Sequence, residues 1–151
     1  MYSSKNIIHI VNYDFGNGQP IKNRYFVILD KDEDSSIVLS VITSQDHIPD
    51  ALLKHGCIQE QANNIHCYSF TKGKVVGENG FSFGKNSFIY INASSVFNAA
   101  SAKLTAIYNN AVEAKDVMLT KEYEDLVYCI YKSKFLPRGI KRKLEATLEQ
   151  I

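Results

Sequence analysis

The stretch that decides the fold is residues 7–44, IIHIVNYDFGNGQPIKNRYFVILDKDEDSSIVLSVITS. It contains three runs rich in β-branched and aromatic side chains, which predict strands at 7–11, 25–29 and 37–42. A glycine-containing loop at 14–20 separates the first two runs, and an acidic turn at 31–35 separates the second from the third. Connections of this length favour an antiparallel meander.

The meander has a positional consequence, because neighbouring antiparallel strands run in opposite directions. Lys22 and Arg24 enter the second strand, and Thr43 and Ser44 leave the third. We therefore expect these four residues at one end of the sheet, beside the glycine-containing loop with Gln19. Cations, hydroxyl groups and a flexible loop make this end a candidate site.

The order of these features resembles the PemK/MazF (Kid) family of toxin endoribonucleases. The resemblance rests on the loop, on Lys22-x-Arg24 before a hydrophobic strand, and on a strand closing with Ile42-Thr43-Ser44. Residues 88–92 resemble the late strand of that family, and residues 119–130 resemble its C-terminal helix.

Two positions depart from the family pattern. Arg24 is followed by Tyr25, where the family usually has Arg-Pro. Gly18-Gln19 stands where the family has Gly-Glu in the loop.

The resemblance implies an α+β fold, with a small antiparallel SH3-like barrel of five or six strands and C-terminal helices. It implies a toxin-type endoribonuclease (mRNA interferase) that cleaves single-stranded RNA without metal. In this resemblance, Arg24 and Thr43 correspond to the catalytic arginine and threonine of the family. It also implies a homodimer and a cognate antitoxin protein. No cofactor is expected.

RNA cleavage through the 2′-hydroxyl also needs proton transfer. The preferred candidate is His47, three residues beyond Ser44 at the same sheet end, with Asp14 and Asp46 as alternatives. His9 and His66 lie within predicted strands, where packed or surface roles are commoner.

Contacts to RNA are expected in two places. At the sheet end they come from Lys22, Gln19, Ser44 and Gln45. Near the C-terminus a basic run in an otherwise neutral chain of net charge +1 can neutralise phosphates; its members are Lys132, Lys134, Arg138, Lys141, Arg142 and Lys143. The same run is also compatible with an acidic partner peptide or a solvated helix face.

The rest of the chain predicts strands at 65–70 and 88–91 and helical turns at 50–56 ended by Gly56. Residues 94–110 fit either a helix from Ser95 or an edge strand at 104–108. Thr120 is the expected N-cap of one helix, and Pro137 suits the first turn of another. A single domain, 1–151, follows: mainly barrel at 1–92, uncertain at 93–118 and helical at 119–151.

The chain contains no apolar run of transmembrane length, and its first residues lack the features of a signal peptide. A cytoplasmic protein is therefore expected. The three cysteines are not spaced as metal ligands, so they are expected to be reduced, mostly buried thiols, with no metal site.

A second class of function remains open from the sequence. The same barrel can serve as a non-catalytic RNA- or protein-binding module, including a gyrase-inhibiting toxin, and the two departures from the family pattern favour this alternative.

Overall fold

The computed structural model describes residues 5–13, 18, 22–31, 35–43, 48–62, 64–92, 96–100, 112–133, 136 and 138–149. These residues form an α+β structure. The strands are β1 (Asn6–Tyr13), β2 (Lys22–Lys31), β3 (Ser35–Thr43), β4 (Gly56–Glu60), β5 (Ile65–Phe70), β6 (Ser87–Tyr90), β7 (Val96–Ala100) and β8 (Val112–Val117). A 3-10 helix spans Asp50–Leu52, and two α-helices follow the strands, α1 (Thr120–Tyr131) and α2 (Arg138–Glu149).

The predicted meander is confirmed. In the antiparallel β1–β2 pair Ile7 lies opposite Val27, and in the β2–β3 pair Tyr25 lies opposite Val41. Seven strands follow one path, in the order β4-β5-β6-β3-β2-β1-β8, and β7 pairs with β3 beside that path. The edge of β3 that faces away from β2 therefore pairs with two strands, with β7 along its first half and with β6 at its end.

Both faces of the meander are buried. On one face Val27, Leu29 and Leu39 belong to the main core. On the other face a second cluster consists of Ile8, Ile10, Phe26, Ile28 and Val38. The three runs are therefore almost continuously apolar because each face has its own core.

The two C-terminal helices are confirmed, and each buries one apolar stripe. Tyr123, Leu126, Val127 and Ile130 of α1 and Ile140 and Leu144 of α2 lie in the main core. Among the described residues, neither helix is long and apolar enough to cross a bilayer.

The predicted N-cap at Thr120 is wrong by one residue. Leu119 occupies the cap position, and no side chain caps the helix there. Thr120 is the first helical residue, and its hydroxyl accepts a hydrogen bond from Lys5 Nζ at 3.4 Å.

Three strands go beyond the predicted set. β4 begins at Gly56, where a helix end was expected, and it forms by pairing with β5; Gly56 itself has a φ of 104°. β7 replaces the helix considered from Ser95, because pairing with β3 satisfies its backbone. β8 reads VEAKDV, a polar sequence stabilised by pairing with β1.

The expectation of three reduced thiols is wrong for two of them. Cys57 of β4 and Cys129 of α1 form a disulfide across a sequence separation of 72 residues. Cys67 is free and buried, as expected, and burial raises the pKa of its thiol to about 11. The disulfide ties the edge strand of the sheet to the helix that covers it.

Candidate nucleic-acid interface

The register of the meander brings Arg24 and Thr43 to the same end of the sheet. Tyr25 pairs with Val41, so Arg24 lies one residue beyond this pair on β2, and Thr43 lies two residues beyond it on β3. Arg24 is half-exposed and lies opposite Ile10 on β1. Thr43 pairs with Ser87 on β6.

Strand alternation decides which face Arg24 occupies. Arg24 lies two residues before Phe26, so it is on the face of the second cluster. Lys22 begins β2 opposite Tyr13 at the same end. The side chains of Lys22 and Thr43 lie outside the described part of the structure, as do residues Gln19, Ser44, Gln45, His47, Asp14, Asp46 and Lys134, and their expected roles stay predictions.

The opposite face of the same sheet end carries a cluster that the sequence did not single out. This aromatic cluster consists of His9, Tyr25, Phe81 and Phe83. The His9 and Tyr25 rings are 4.6 Å apart, and Tyr25 lies 5.8 Å from Phe81 and 5.3 Å from Phe83. His9, Tyr25 and Phe81 are half-exposed, so their rings present a partly solvent-accessible apolar surface.

Charge beside the aromatic cluster comes from β8. His9 lies opposite Glu113, and Glu113 pairs with Lys115, with Nζ and Oε2 2.9 Å apart. Burial and the positive charge of Lys115 lower the pKa of His9, while Glu113 opposes that shift. A neutral imidazole next to Tyr25 extends the stacking surface, and π-faces of this kind accept nucleobases with little sequence preference.

A buried carboxylate holds the loop that supplies Phe81. Asp116 accepts hydrogen bonds from the backbone N–H groups of Asn79, Phe81 and Val117 and from the Asn79 side-chain amide. Burial acts to raise the pKa of Asp116, but these hydrogen bonds outweigh it and lower the pKa below its usual value. Asp116 of β8 thus fixes the backbone position of Phe81, one member of the aromatic cluster.

The predicted basic run lies partly on α2. Arg138 and Arg142 are exposed and one turn apart, and Lys141 places Nζ 5.1 Å from the centre of the Tyr131 ring. The first turn of α2 contains no acidic residue, although a helix N-terminus favours negative charge. These cations therefore add to the positive end of the helix instead of opposing it, which suits an anionic ligand. Lys132 is exposed just after α1.

A second histidine–carboxylate pair, His55 and Glu122, makes only structural contacts. Glu122 Oε1 accepts from His55 Nε2 at 2.6 Å and from the Tyr68 hydroxyl at 2.8 Å. The backbone N–H of Thr71 donates to His55 Nδ1 at 3.0 Å, which assigns the ring hydrogen to Nε2. Both ring nitrogens are occupied, so His55 has no nitrogen free to take a substrate proton. Burial and Glu122 raise the pKa of Tyr68.

The structure also assembles a cysteine–histidine cluster that the sequence missed. Cys57, His66 and Cys129 place their ligand atoms within 4.8 Å of one another. Their sequence separations follow no metal-binding motif, so spacing alone could not reveal them.

Comparison of the chain with protein-family models, with curated protein sequences and with solved structures yields no match.

Proposed function

We propose that this protein is a metal-independent endoribonuclease of the PemK/MazF type that cleaves single-stranded RNA. The observation that carries the proposal is the β2–β3 register, with Tyr25 opposite Val41, which brings Arg24 and Thr43 to one end of the sheet. The proposal includes the finer fold implied by the resemblance, a small SH3-like barrel.

In the proposed reaction the 2′-hydroxyl of one nucleotide attacks the adjacent phosphodiester and expels the 5′-oxygen of the next. Charge develops on the non-bridging oxygens, and the Arg24 guanidinium supplies paired N–H donors for them. The resemblance implies Thr43 as the second catalytic residue, but by strand alternation its position shares the face of Val41, opposite Arg24, so only Arg24 is assigned a contact to the phosphate here. His47 is the proposed proton-transfer group, because histidine is the side chain that most often serves in general acid–base catalysis.

RNA binding would draw on two surfaces besides this centre. The aromatic cluster stacks unpaired bases, and Arg138 and Arg142 on α2 neutralise phosphates. Helix α2 packs against β2 with Ile140 and Leu144 in the main core, so it lies on the same side of the sheet as the aromatic cluster. A homodimer and a cognate antitoxin, both implied by the resemblance, complete the proposal.

The test is incubation of the purified chain with a long single-stranded RNA in EDTA, beside Arg24→Ala and Thr43→Ala. Wild type should give discrete fragments ending in 2′,3′-cyclic phosphate. Loss of one preorganised electrostatic donor lowers a rate by roughly 10²–10³-fold, so Arg24→Ala should be slower by that factor.

Arg142→Ala is the matched control, because it removes an exposed guanidinium far from the sheet end in sequence. It should weaken binding and reduce the salt dependence while leaving cleavage of saturating RNA unchanged. Intact RNA with folded wild-type protein, or equal cleavage by Arg24→Ala, would refute the endoribonuclease.

A second candidate is a single-stranded RNA-binding module without catalysis. The aromatic cluster favours it, because this stacking surface lies on the face opposite Arg24. In that case RNA binds without cleavage, and Tyr25→Ala weakens affinity by the 1–3 kcal/mol typical of one stacked base, roughly 5- to 150-fold. Arg24→Ala would then have a smaller effect on affinity than Tyr25→Ala.

A further inference from the structure

Three side chains from separate elements converge beside the covering helix. Cys57 is on β4, His66 is on the adjacent strand β5, and Cys129 is on α1. Their ligand atoms all lie within 4.8 Å of one another, and His66 Nε2 is 3.8 Å from Cys129 Sγ. Two thiolates and an imidazole are ligands that zinc prefers.

We propose that reduction of the Cys57–Cys129 disulfide converts this cluster into a zinc site with two sulfur ligands and one imidazole nitrogen. The fourth position is open to water. A dithiol reductant supplies two electrons and two protons: its own sulfurs join as a disulfide, and the protein S–S bond breaks into two thiols. Zinc then binds both sulfurs and releases the two thiol protons.

The geometry favours this ligand set only in the reduced state. Tetrahedral zinc, with bonds of about 2.3 Å to sulfur and 2.0–2.1 Å to nitrogen, keeps its ligand atoms about 3.5–3.8 Å apart. The 3.8 Å between His66 Nε2 and Cys129 Sγ already matches that spacing. Two bonded sulfurs are too close to occupy separate tetrahedral positions, so the disulfide excludes the metal.

His66 has a different role in the oxidised protein. Its Nε2–H donates to the backbone carbonyl of Cys129 at 2.9 Å. That carbonyl is in the last turn of α1, where helical N–H partners run out, so the imidazole caps the helix. Zinc binding through Nε2 requires the ring hydrogen on Nδ1 and removes this cap, and the helix end therefore exchanges a hydrogen bond for a metal bond.

The free cysteine provides a control inside the same sheet. Cys67 follows His66 on β5, but it belongs to a separate buried cluster with Ile48, Ile58 and Phe88. Cys57 and His66 are half-exposed, whereas Cys129 is 1% exposed. Reductant and metal can therefore reach the cluster from the side of Cys57 and His66.

The experiment begins with thiol titration of the denatured, air-purified chain, which should find one thiol. The folded chain is then treated with a water-soluble phosphine, which becomes a phosphine oxide with oxygen from water and leaves two thiols; titration should now find three, the number of cysteines in the chain. Cobalt(II) is added without oxygen as a spectroscopic probe. We expect one equivalent per chain, with sulfur-to-cobalt charge transfer and tetrahedral ligand-field bands, displaced by zinc.

Variants assign the signal to the three residues. Cys57→Ser and Cys129→Ser should abolish it, and Cys67→Ser should retain it. His66→Gln keeps the disulfide and hence a folded reference state. After reduction, this variant should bind cobalt at least about tenfold more weakly, because losing even a residue that hydrogen-bonds to a zinc ligand lowers metal affinity by about that factor.

Three results would overturn the inference: no cobalt bands from a reduced chain with three titratable thiols, bands that persist in Cys57→Ser, or a disulfide that resists the phosphine in the folded state. Three thiols before any reductant would overturn the redox dependence. These readouts are independent of RNA cleavage, so the inference and the proposed function can fail separately.

Discussion

Replacing Asp116 by asparagine should release the loop at residues 77–81 from β8. Asp116 is 8% exposed, and its carboxylate accepts hydrogen bonds from four N–H groups at distances between 2.7 and 3.1 Å. Asparagine has nearly the same shape, but one carboxylate oxygen becomes an NH₂ group. That group would face the N–H groups of Asn79 and Phe81, so donors would meet donors.

The magnitude follows from the hydrogen bonds that are lost. A hydrogen bond to a charged group contributes about 1.5–3 kcal/mol, and Asp116→Asn removes the charge and at least one well-directed acceptor. Because Asn79 is exposed and can turn to water, the lower end applies, and we expect a loss of about 2 kcal/mol in the free energy of unfolding. For a chain of this size that corresponds to roughly 4–8 °C in Tm.

Urea unfolding at pH 7, followed by circular dichroism, measures the change. Glu113→Gln is the matched control. It removes a carboxylate from the same strand, but Glu113 forms only an exposed ion pair with Lys115. Exposed ion pairs of this kind often contribute nothing measurable to stability. A loss in Asp116→Asn no larger than in the control would refute the reasoning that this carboxylate organises the loop.

Three further predictions concern stability. Gly77→Ala should destabilise the protein by at least about 2 kcal/mol, because a Cβ there would overlap the Asp116 carboxylate, whereas Gly84→Ala, with open space around it, should change stability little; urea midpoints compare them. Burial lowers the pKa of His66, although the hydrogen bond to the Cys129 carbonyl opposes this shift, so the unfolded chain binds more protons than the folded chain. The free energy of unfolding should therefore fall as the pH drops below about 6.5, and it should fall less steeply in His66→Gln. Equal pH slopes for the wild type and the variant would contradict this. Tyr68→Phe removes the hydroxyl that donates to the buried carboxylate of α1, and a loss of about 1–3 kcal/mol is expected in thermal unfolding, with an unchanged Tm as the contrary result.

Local patterns predicted the parts of the fold that depend on side-chain type. The three apolar runs of the meander, the strands at 65–70 and 88–91, and the stripe Tyr123-Leu126-Val127-Ile130 were identified from composition and period. The expected position of Arg24 and Thr43 at one end of the sheet also followed from sequence, because strand direction in a meander leaves little choice.

Other elements depend on partners that are distant in the chain. The polar strand β8 exists because β1 pairs with it, and β7 exists because β3 leaves an edge free beside it. The sequences VEAKDV and VFNAA do not favour a strand over a helix or a loop. In such weakly patterned segments, backbone pairing with a neighbouring strand decides the secondary structure.

The sequence by itself therefore determined the meander, the two C-terminal helices and the sheet end at which Arg24 lies. Only the tertiary structure decided the aromatic cluster, the Asp116 clamp and the meeting of Cys57, His66 and Cys129. The physical reason is the sequence distance between the interacting residues. Strand and helix patterns depend on neighbouring residues, whereas a site formed by β4, β5 and α1 depends on how separate elements pack. Cys57 and Cys129, 72 residues apart, meet because α1 covers the edge of the sheet.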